Sequence, residues 1–159
     1  MPKKAFSSTA IATYWEQLIS TSWTEECLNS SSRYTVDWST GFVFQFSKIT
    51  GDPLLRAKGV ETYLARPWKN FSRTVFMECS MDDVVQPLGY LPWDGSAGLD
   101  TLYYAEYNNT GPGSDTSGRV KWPGFHVISE AQASNFTVES FIGGGRWLPG
   151  TGVEFTPGL

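Results

Sequence analysis

The chain has 159 residues, of which 40% are hydrophobic and 15% aromatic, enough for one domain with a buried core. Charged residues make up only 18% and the net charge is −4, which argues against wholesale disorder and against bulk attraction to nucleic acid. Sixteen glycines and nine prolines punctuate the whole sequence, favouring many short strands and turns over long helices.

The N-terminus begins MPKK, but no continuous apolar stretch follows, so no export signal is visible, and no transmembrane run appears. In residues 8–20, Ile11, Tyr14, Trp15, Leu18 and Ile19 fall at helical i, i+3, i+4, i+7 and i+8 spacing, and Ser8 or Thr9 can cap the start. A short amphipathic helix is expected there, followed by a Ser/Thr-rich loop over 21–39. From Gly41 the period changes to two. Phe42, Phe44 and Phe46 share one strand face; Val75, Met77 and Cys79 share another; Leu102 and Tyr104 lie opposite Tyr103 and Tyr107. The strings FHVIS (125–129) and NFTVESFI (135–142) are further strand candidates. The turn-rich connections between them are long for a hairpin meander and suit a solenoid. No clean repeat at a fixed period is visible, so a sandwich stays open beside the solenoid.

Arg56, Lys58, Arg66, Lys69 and Arg73 lie close together with Glu61 the only acid among them, which suits either an anionic ligand or a solvated loop face. The two cysteines, Cys27 and Cys79, make no disulfide framework and have no zinc-site spacing; Cys79 reads as a buried thiol. Asn29, Asn70, Asn108 and Asn135 begin glycosylation sequons, which matter only in a secreted protein. In YLARPWKNFSRT (63–74), Pro67 fixes its own φ and biases Arg66 toward an extended conformation. A guanidinium forks onto a carboxylate, and Trp68 offers a ring face large enough for a sugar. The competing reading pairs Arg66 with a structural acid and packs Trp68 in the core. His126, the one histidine, lies in an apolar strand-like stretch with no nucleophile elbow near any serine, and reads as structural. Asp82 and Asp83, as strand neighbours, are expected to face opposite ways, so neither metal nor other cofactor is expected. GGGRW (143–147) lacks the lysine of a phosphate loop and reads as a turn. Glu78, Asp100 and Glu106 are candidate acid/base groups or solvated surface.

YLARPWKNFSRTVFM resembles the YLGRPW…SRTV signature of plant pectinesterases (pectin methylesterases), and the likeness continues through GYLPWDG, LDTLYYAEYNNTGPG, RVKWPGFHVI, NFTVESFI and WLPGTGVEFTPGL. STGFVFQFSKITGDPLL resembles the strand and loop just upstream, so the likeness runs from about Ser39 to Leu159. The resemblance implies an all-β fold, a right-handed parallel β-helix of the pectin-lyase-like kind. It implies hydrolysis of the methyl ester at C6 of galacturonate units in pectin, releasing methanol. One aspartate attacks the ester, a second serves as acid and then base, and glutamines stabilise the oxyanion. By residue-for-residue match, Arg66 is the arginine that holds the nucleophilic aspartate ionised and Trp68 the tryptophan that lines the sugar subsite. The partners implied are pectin and a proteinaceous pectinesterase inhibitor, with no nucleic acid and no membrane; the location implied is secreted, in the plant cell wall.

The family's aspartates sit in QDTL and VDFIFG segments, and neither string occurs in these 159 residues. Asp100-Thr101-Leu102 imitates part of the first but belongs to the separate LDTLYY motif. Ala65 stands where the family has glycine, and its methyl is expected to crowd close backbone packing. Residues 1–38 carry none of the quoted motifs. The expectation is therefore an incomplete β-helix (39–159), the C-terminal part of a catalytic domain, behind an unmatched front segment (1–38) with a short helix. That helix is expected to cover the open end of the solenoid, the alternative being a front segment with no evolved role. Without the aspartates, inactivity alone is expected, with a non-catalytic pectin-binding remnant as the alternative.

Overall fold

A computed structural model describes residues 25–27, 30–31, 33–37 and 39–159. The helix expected at 8–20 lies outside these residues.

The strands run in circuits. The first circuit holds β1 (Glu25–Cys27), β2 (Ser30–Ser31), β3 (Phe42–Gln45) and β4 (Lys48–Ile49). A one-turn helix, α1 (Pro53–Ala57), leads to the second, with β5 (Glu61–Tyr63), β6 (Arg66–Pro67), β7 (Arg73–Met77) and β8 (Ser80–Met81). Each strand of the second circuit lies parallel to its counterpart in the first. A third circuit lays β9 (Tyr103–Tyr107) along β7 and touches the other second-circuit strands through the parallel bridges Thr62↔Val85, Ala65↔Tyr90 and Ser80↔Thr110. β10 (Phe125–Val127) then lies along β9, so the widest sheet has the order β10-β9-β7-β3, parallel throughout. This is a parallel β-helix, and the sandwich alternative falls.

The register explains why no fixed repeat is visible in the sequence. Phe42 sits beside Thr74, Thr74 beside Tyr104 and Tyr104 beside Phe125, so successive circuits take 32, 30 and 21 residues. Loop insertions change the circuit length while the strands stay in register.

Both faces of the wide sheet are buried, as parallel sheets require. Phe76 and Tyr104 face inward with Leu64, Ala65, Met81, Tyr90 and Leu102, and Phe44 packs against them. Val75, Met77 and Ala105 face outward and are covered by Ile128, Ala133 and Phe136. Cys79 was expected beside Val75 and Met77 but lies in the inner cluster. The cause is a left-handed corner. Phe46, Glu78 and Asn108 have φ of 52°, 54° and 47° at the ends of β3, β7 and β9, and each such residue breaks the alternation. The corners stack: the Phe46 N–H donates to Met77 O at 3.3 Å and the Glu78 N–H to Tyr107 O at 2.8 Å. Asparagine tolerates this conformation best of the three. Asn108→Val is expected to cost about 1–2 kcal/mol and Asn108→Gly about 0.5 kcal/mol or less, read from urea unfolding midpoints.

The outer cover contains a second correction. Residues 135–142 were expected as a strand, but Val138–Ile142 form a helix, α3, after α2 (Glu130–Ala133). Thr137 Oγ1 accepts from Ser140 N at 3.3 Å, and Gly143 closes α3 at φ 57°. This cap at one end and left-handed glycine at the other outweigh the β-branched and aromatic composition.

Candidate substrate site

The site begins at the RPW string. Arg66 and Pro67 form β6, extended as an X-Pro step favours, and Arg66 registers against Ser30 of β2. On the other side the Leu91 N–H donates to Ala65 O at 3.2 Å. Ala65 is fully buried in the inner cluster and is not among the positive-φ residues, so the position does not need glycine's conformational freedom. Arg66 itself is half-buried at the edge of this layer.

Trp68 is 43% exposed, which removes the core reading for its ring. It meets a residue the sequence reading missed. Trp93, 54% exposed, brings its ring centroid to 5.2 Å from that of Trp68 at an interplanar angle of 43°. The signal available was the LPWDG string, a large aromatic stranded in a turn where no core needs it. Beyond Trp68, Lys69 Nζ lies 5.1 Å from the ring centroid of Tyr34. Tyr34 is held there because the Phe71 N–H donates to Arg33 O at 3.2 Å, while the Arg33 guanidinium donates to Thr35 O at 2.8 Å and Val36 O at 2.6 Å. The strip of surface at Trp68 thus carries two exposed indoles, a lysine and a phenol, and Arg66 stands two residues before Trp68 in the chain.

The other candidates lie apart from this strip. Asp82 and Asp83 do not face opposite ways. They sit in the turn after β8 and both engage Arg56, Asp82 Oδ2 at 3.1 Å from Nη1. The Asp83 backbone N–H, and then the Arg56 charge, hold the Asp82 carboxyl below the usual range. This pair is exposed, so its net worth is small. Arg56 therefore ties α1 to the turn after β8, and Lys69 lies over Tyr34. The part-buried Arg73 is shifted down, first by burial and then by the charge of Arg33. His126 lies on β10 with its ring centroid 5.0 Å from that of Tyr103. Glu78 accepts from Gln45 Nε2 at 3.1 Å, and Asp100 is exposed in a turn. GGGRW forms the turn expected of it, with Gly144–Arg146 as a single 3-10 turn. The Cys79 thiol is fully buried and donates to Phe44 O at 3.3 Å and Met77 O at 3.4 Å; burial pushes it up to about 11. Among the described residues no cluster of three or more His, Cys, Asp or Glu is placed to hold a metal ion, and no helix is long and apolar enough to cross a membrane. A cavity of about 170 Å³ lies elsewhere, between β3 and α3, lined by Val43, Gln45, Phe136 and Phe141 among others.

Glu106 departs furthest from expectation. It is 1% exposed, not surface, and is paired with an equally buried Arg119, Nε to Oε1 at 2.7 Å. Its place in the alternation, on the same face as Leu102 and Tyr104, was the available sign that it points into the core and needs a cation there.

Stacked parallel circuits with an exposed aromatic strip along one side place the chain among the parallel β-helix proteins. The pectinesterase family model matches residues 17–145, and the chain belongs to the pectinesterase family. The match begins ahead of Ser39, in the segment that also supplies β1 and β2. The chain is 54% identical over 123 residues to probable pectinesterase/pectinesterase inhibitor 32 of Arabidopsis thaliana, covering 76% of this chain and 23% of the relative. It is 47% identical over 135 residues to pectinesterase 2 of Citrus sinensis, covering 83% and 26%. The structure of pectin methylesterase from carrot superposes with a TM-score of 0.80 at 47% identity, over 85% of this chain and 44% of that one. The chain thus spans about a quarter of the length of these curated relatives.

Proposed function

We propose that this chain supplies the substrate-contacting side of a pectinesterase, an aspartyl carboxylic-ester hydrolase that removes methyl esters from the galacturonate units of pectin and releases methanol. Arg66 would hydrogen-bond the attacking aspartate and hold it ionised, and Trp68 with Trp93 would carry the sugar rings. The observation that carries this reading is the exposed indole pair, whose Trp68 follows the half-buried Arg66 of β6 by two residues. Two large aromatic rings exposed side by side form an apolar patch of the kind that marks a binding site. The setting proposed is the plant cell wall, and the partner classes are pectin and a proteinaceous inhibitor; the Arabidopsis relative's name joins pectinesterase to pectinesterase inhibitor.

The aspartates that the family resemblance assigns to QDTL and VDFIFG are not among these residues, so the 159 residues alone are proposed to lack esterase activity. Methanol assayed with methyl-esterified pectin should not exceed the rate without protein. Release at normal enzyme rates would overturn the assignment of the nucleophile to the missing segments. The second reading, a non-catalytic pectin-binding protein, is favoured by the same exposed strip. It predicts that galacturonate oligosaccharides bind to the chain alone and that Trp68→Ala weakens binding about tenfold, by titration calorimetry at fixed salt. Equal affinity of wild type and Trp68→Ala would remove Trp68 from the site.

A further inference from the structure

We propose that Glu106 and Arg119 are positioning residues for the sugar-facing indole pair: a buried ion pair that fixes the strap 86–93 and so sets the angle at which Trp93 meets Trp68. The proposal rests on the reading of that pair as the sugar platform.

The strap leaves the second circuit after β8 and returns to β6. Its backbone is tied along one side, where the Gln86 N–H donates to Thr62 O at 2.9 Å, the Leu64 N–H to Gly89 O at 2.7 Å and the Leu91 N–H to Ala65 O at 3.2 Å. From below, the Val120 N–H donates to Leu88 O at 3.1 Å and the buried Tyr90 ring packs on Tyr104, Trp122 and Phe125. The polar grip on the strap comes from Arg119. Its Nη1 donates to Pro87 O at 3.1 Å and, more weakly, to Gln86 O at 3.4 Å, while Nη2 donates to Gly113 O at 2.7 Å. Glu106, on β9, holds the guanidinium at Nε and also accepts from Tyr90 Oη at 3.2 Å and Asn109 Nδ2 at 3.3 Å. Tyr90 is fully buried, and its phenol is pushed well above the ordinary value by burial and by the Glu106 charge. The pair therefore grips the strap at both Pro87 and Tyr90, three residues before Trp93. Gly89 is the crossing point. At φ 70°, a Cβ there would lie 2.4 Å from Arg119 Cδ, so the strap and the arginine stem fit only with glycine between them.

A hydrophobic replacement would fill this space as stably. What it could not do is address three separate carbonyls and a phenol from one point. The buried pair is thus suited to orient the strap, and its effect should appear at Trp93 in the folded protein.

The test is circular dichroism of the full chain, because two indoles 5.2 Å apart give an exciton couplet. Trp93→Phe and Trp68→Phe assign the couplet, which either substitution should abolish; a spectrum that neither changes would overturn the pairing. In Glu106→Gln, measured well below its unfolding midpoint, the couplet should be lost and affinity for a galacturonate oligosaccharide should fall about tenfold. If Glu106→Gln does not fold, Tyr90→Phe decides. It keeps the ring, deletes only the hydroxyl's bond to Glu106, and should reduce the couplet with affinity about threefold weaker. A folded variant with an unchanged couplet overturns the proposal whatever the binding result. Failure of the wild type to bind the oligosaccharide, with the couplet still sensitive to Glu106, overturns the sugar-platform reading and leaves the positioning intact.

Discussion

Arg119→Met is expected to destabilise the fold by about 3–5 kcal/mol, read from urea unfolding of the full chain. Glu106 keeps its place on β9 when the guanidinium goes, but its carboxylate is then buried with only Tyr90 and Asn109 as donors. The carbonyls of Pro87 and Gly113 lose a donor at the same time. An unpaired buried charge costs more than the pair ever contributed, since the attraction of the two ions largely offsets their desolvation. The sign of the coupling follows. Adding Glu106→Gln to Arg119→Met should recover part of the loss, because the orphan charge is removed, whereas Glu106→Gln alone should destabilise. Additive effects of the two substitutions, or an unchanged midpoint in Arg119→Met, would show that the pair does not act as one unit.

The same pair shows where the sequence stops being readable. The strand pattern is local, so β3, β7, β9 and β10 could be placed from the strings at 41–49, 74–81, 101–107 and 125–129. The long connections between them argue against a hairpin meander, but the parallel order β10-β9-β7-β3 is supplied by the structure and not by the pattern. What alternation does not carry is phase across a corner. Glu78 adopts φ 54°, an unusual state for a glutamate, and so Cys79 turns inward against the pattern. Nor does composition separate α3 from a strand: Val138, Phe141 and Ile142 suit either, and the decision is made by Thr137 and Gly143 at its ends. At the site, Arg66 and Trp68 stood out because Pro67 restricts the backbone between them. Trp93 and Arg119 did not. Each becomes meaningful only through a partner brought in by the solenoid, Trp68 on an adjacent circuit in one case and Glu106 on β9 in the other. Asp82 and Asp83 were misread for the related reason that the strand ends at Met81, one residue before them.

Phe76→Ala is expected to cost about 3–5 kcal/mol, whereas Phe42→Ala, on the same sheet face, should cost about 1 kcal/mol or less. Phe76 is fully buried and Phe42 is 50% exposed, so the two differ in packing and not in chemistry. On one side Phe76 registers against Phe44, with ring centroids 4.7 Å apart and planes 8° from parallel; on the other it registers against Glu106. It is therefore the apolar link between the first circuit and the ion pair. A solenoid is held together by contacts between neighbouring circuits, so a cavity at this position weakens two interfaces at once. Phe44→Ala removes one of those interfaces, and the double variant should be less destabilised than the sum of the singles by about 0.5–1.5 kcal/mol, the worth of the stacked pair. Unfolding followed separately by tryptophan fluorescence and by far-UV circular dichroism adds a second readout. If Phe76 couples the circuits, the wild-type transitions coincide and those of Phe76→Ala separate. Coincident transitions in Phe76→Ala would mean that the circuits are coupled mainly by the backbone ladders, and that the ring stack only fills space.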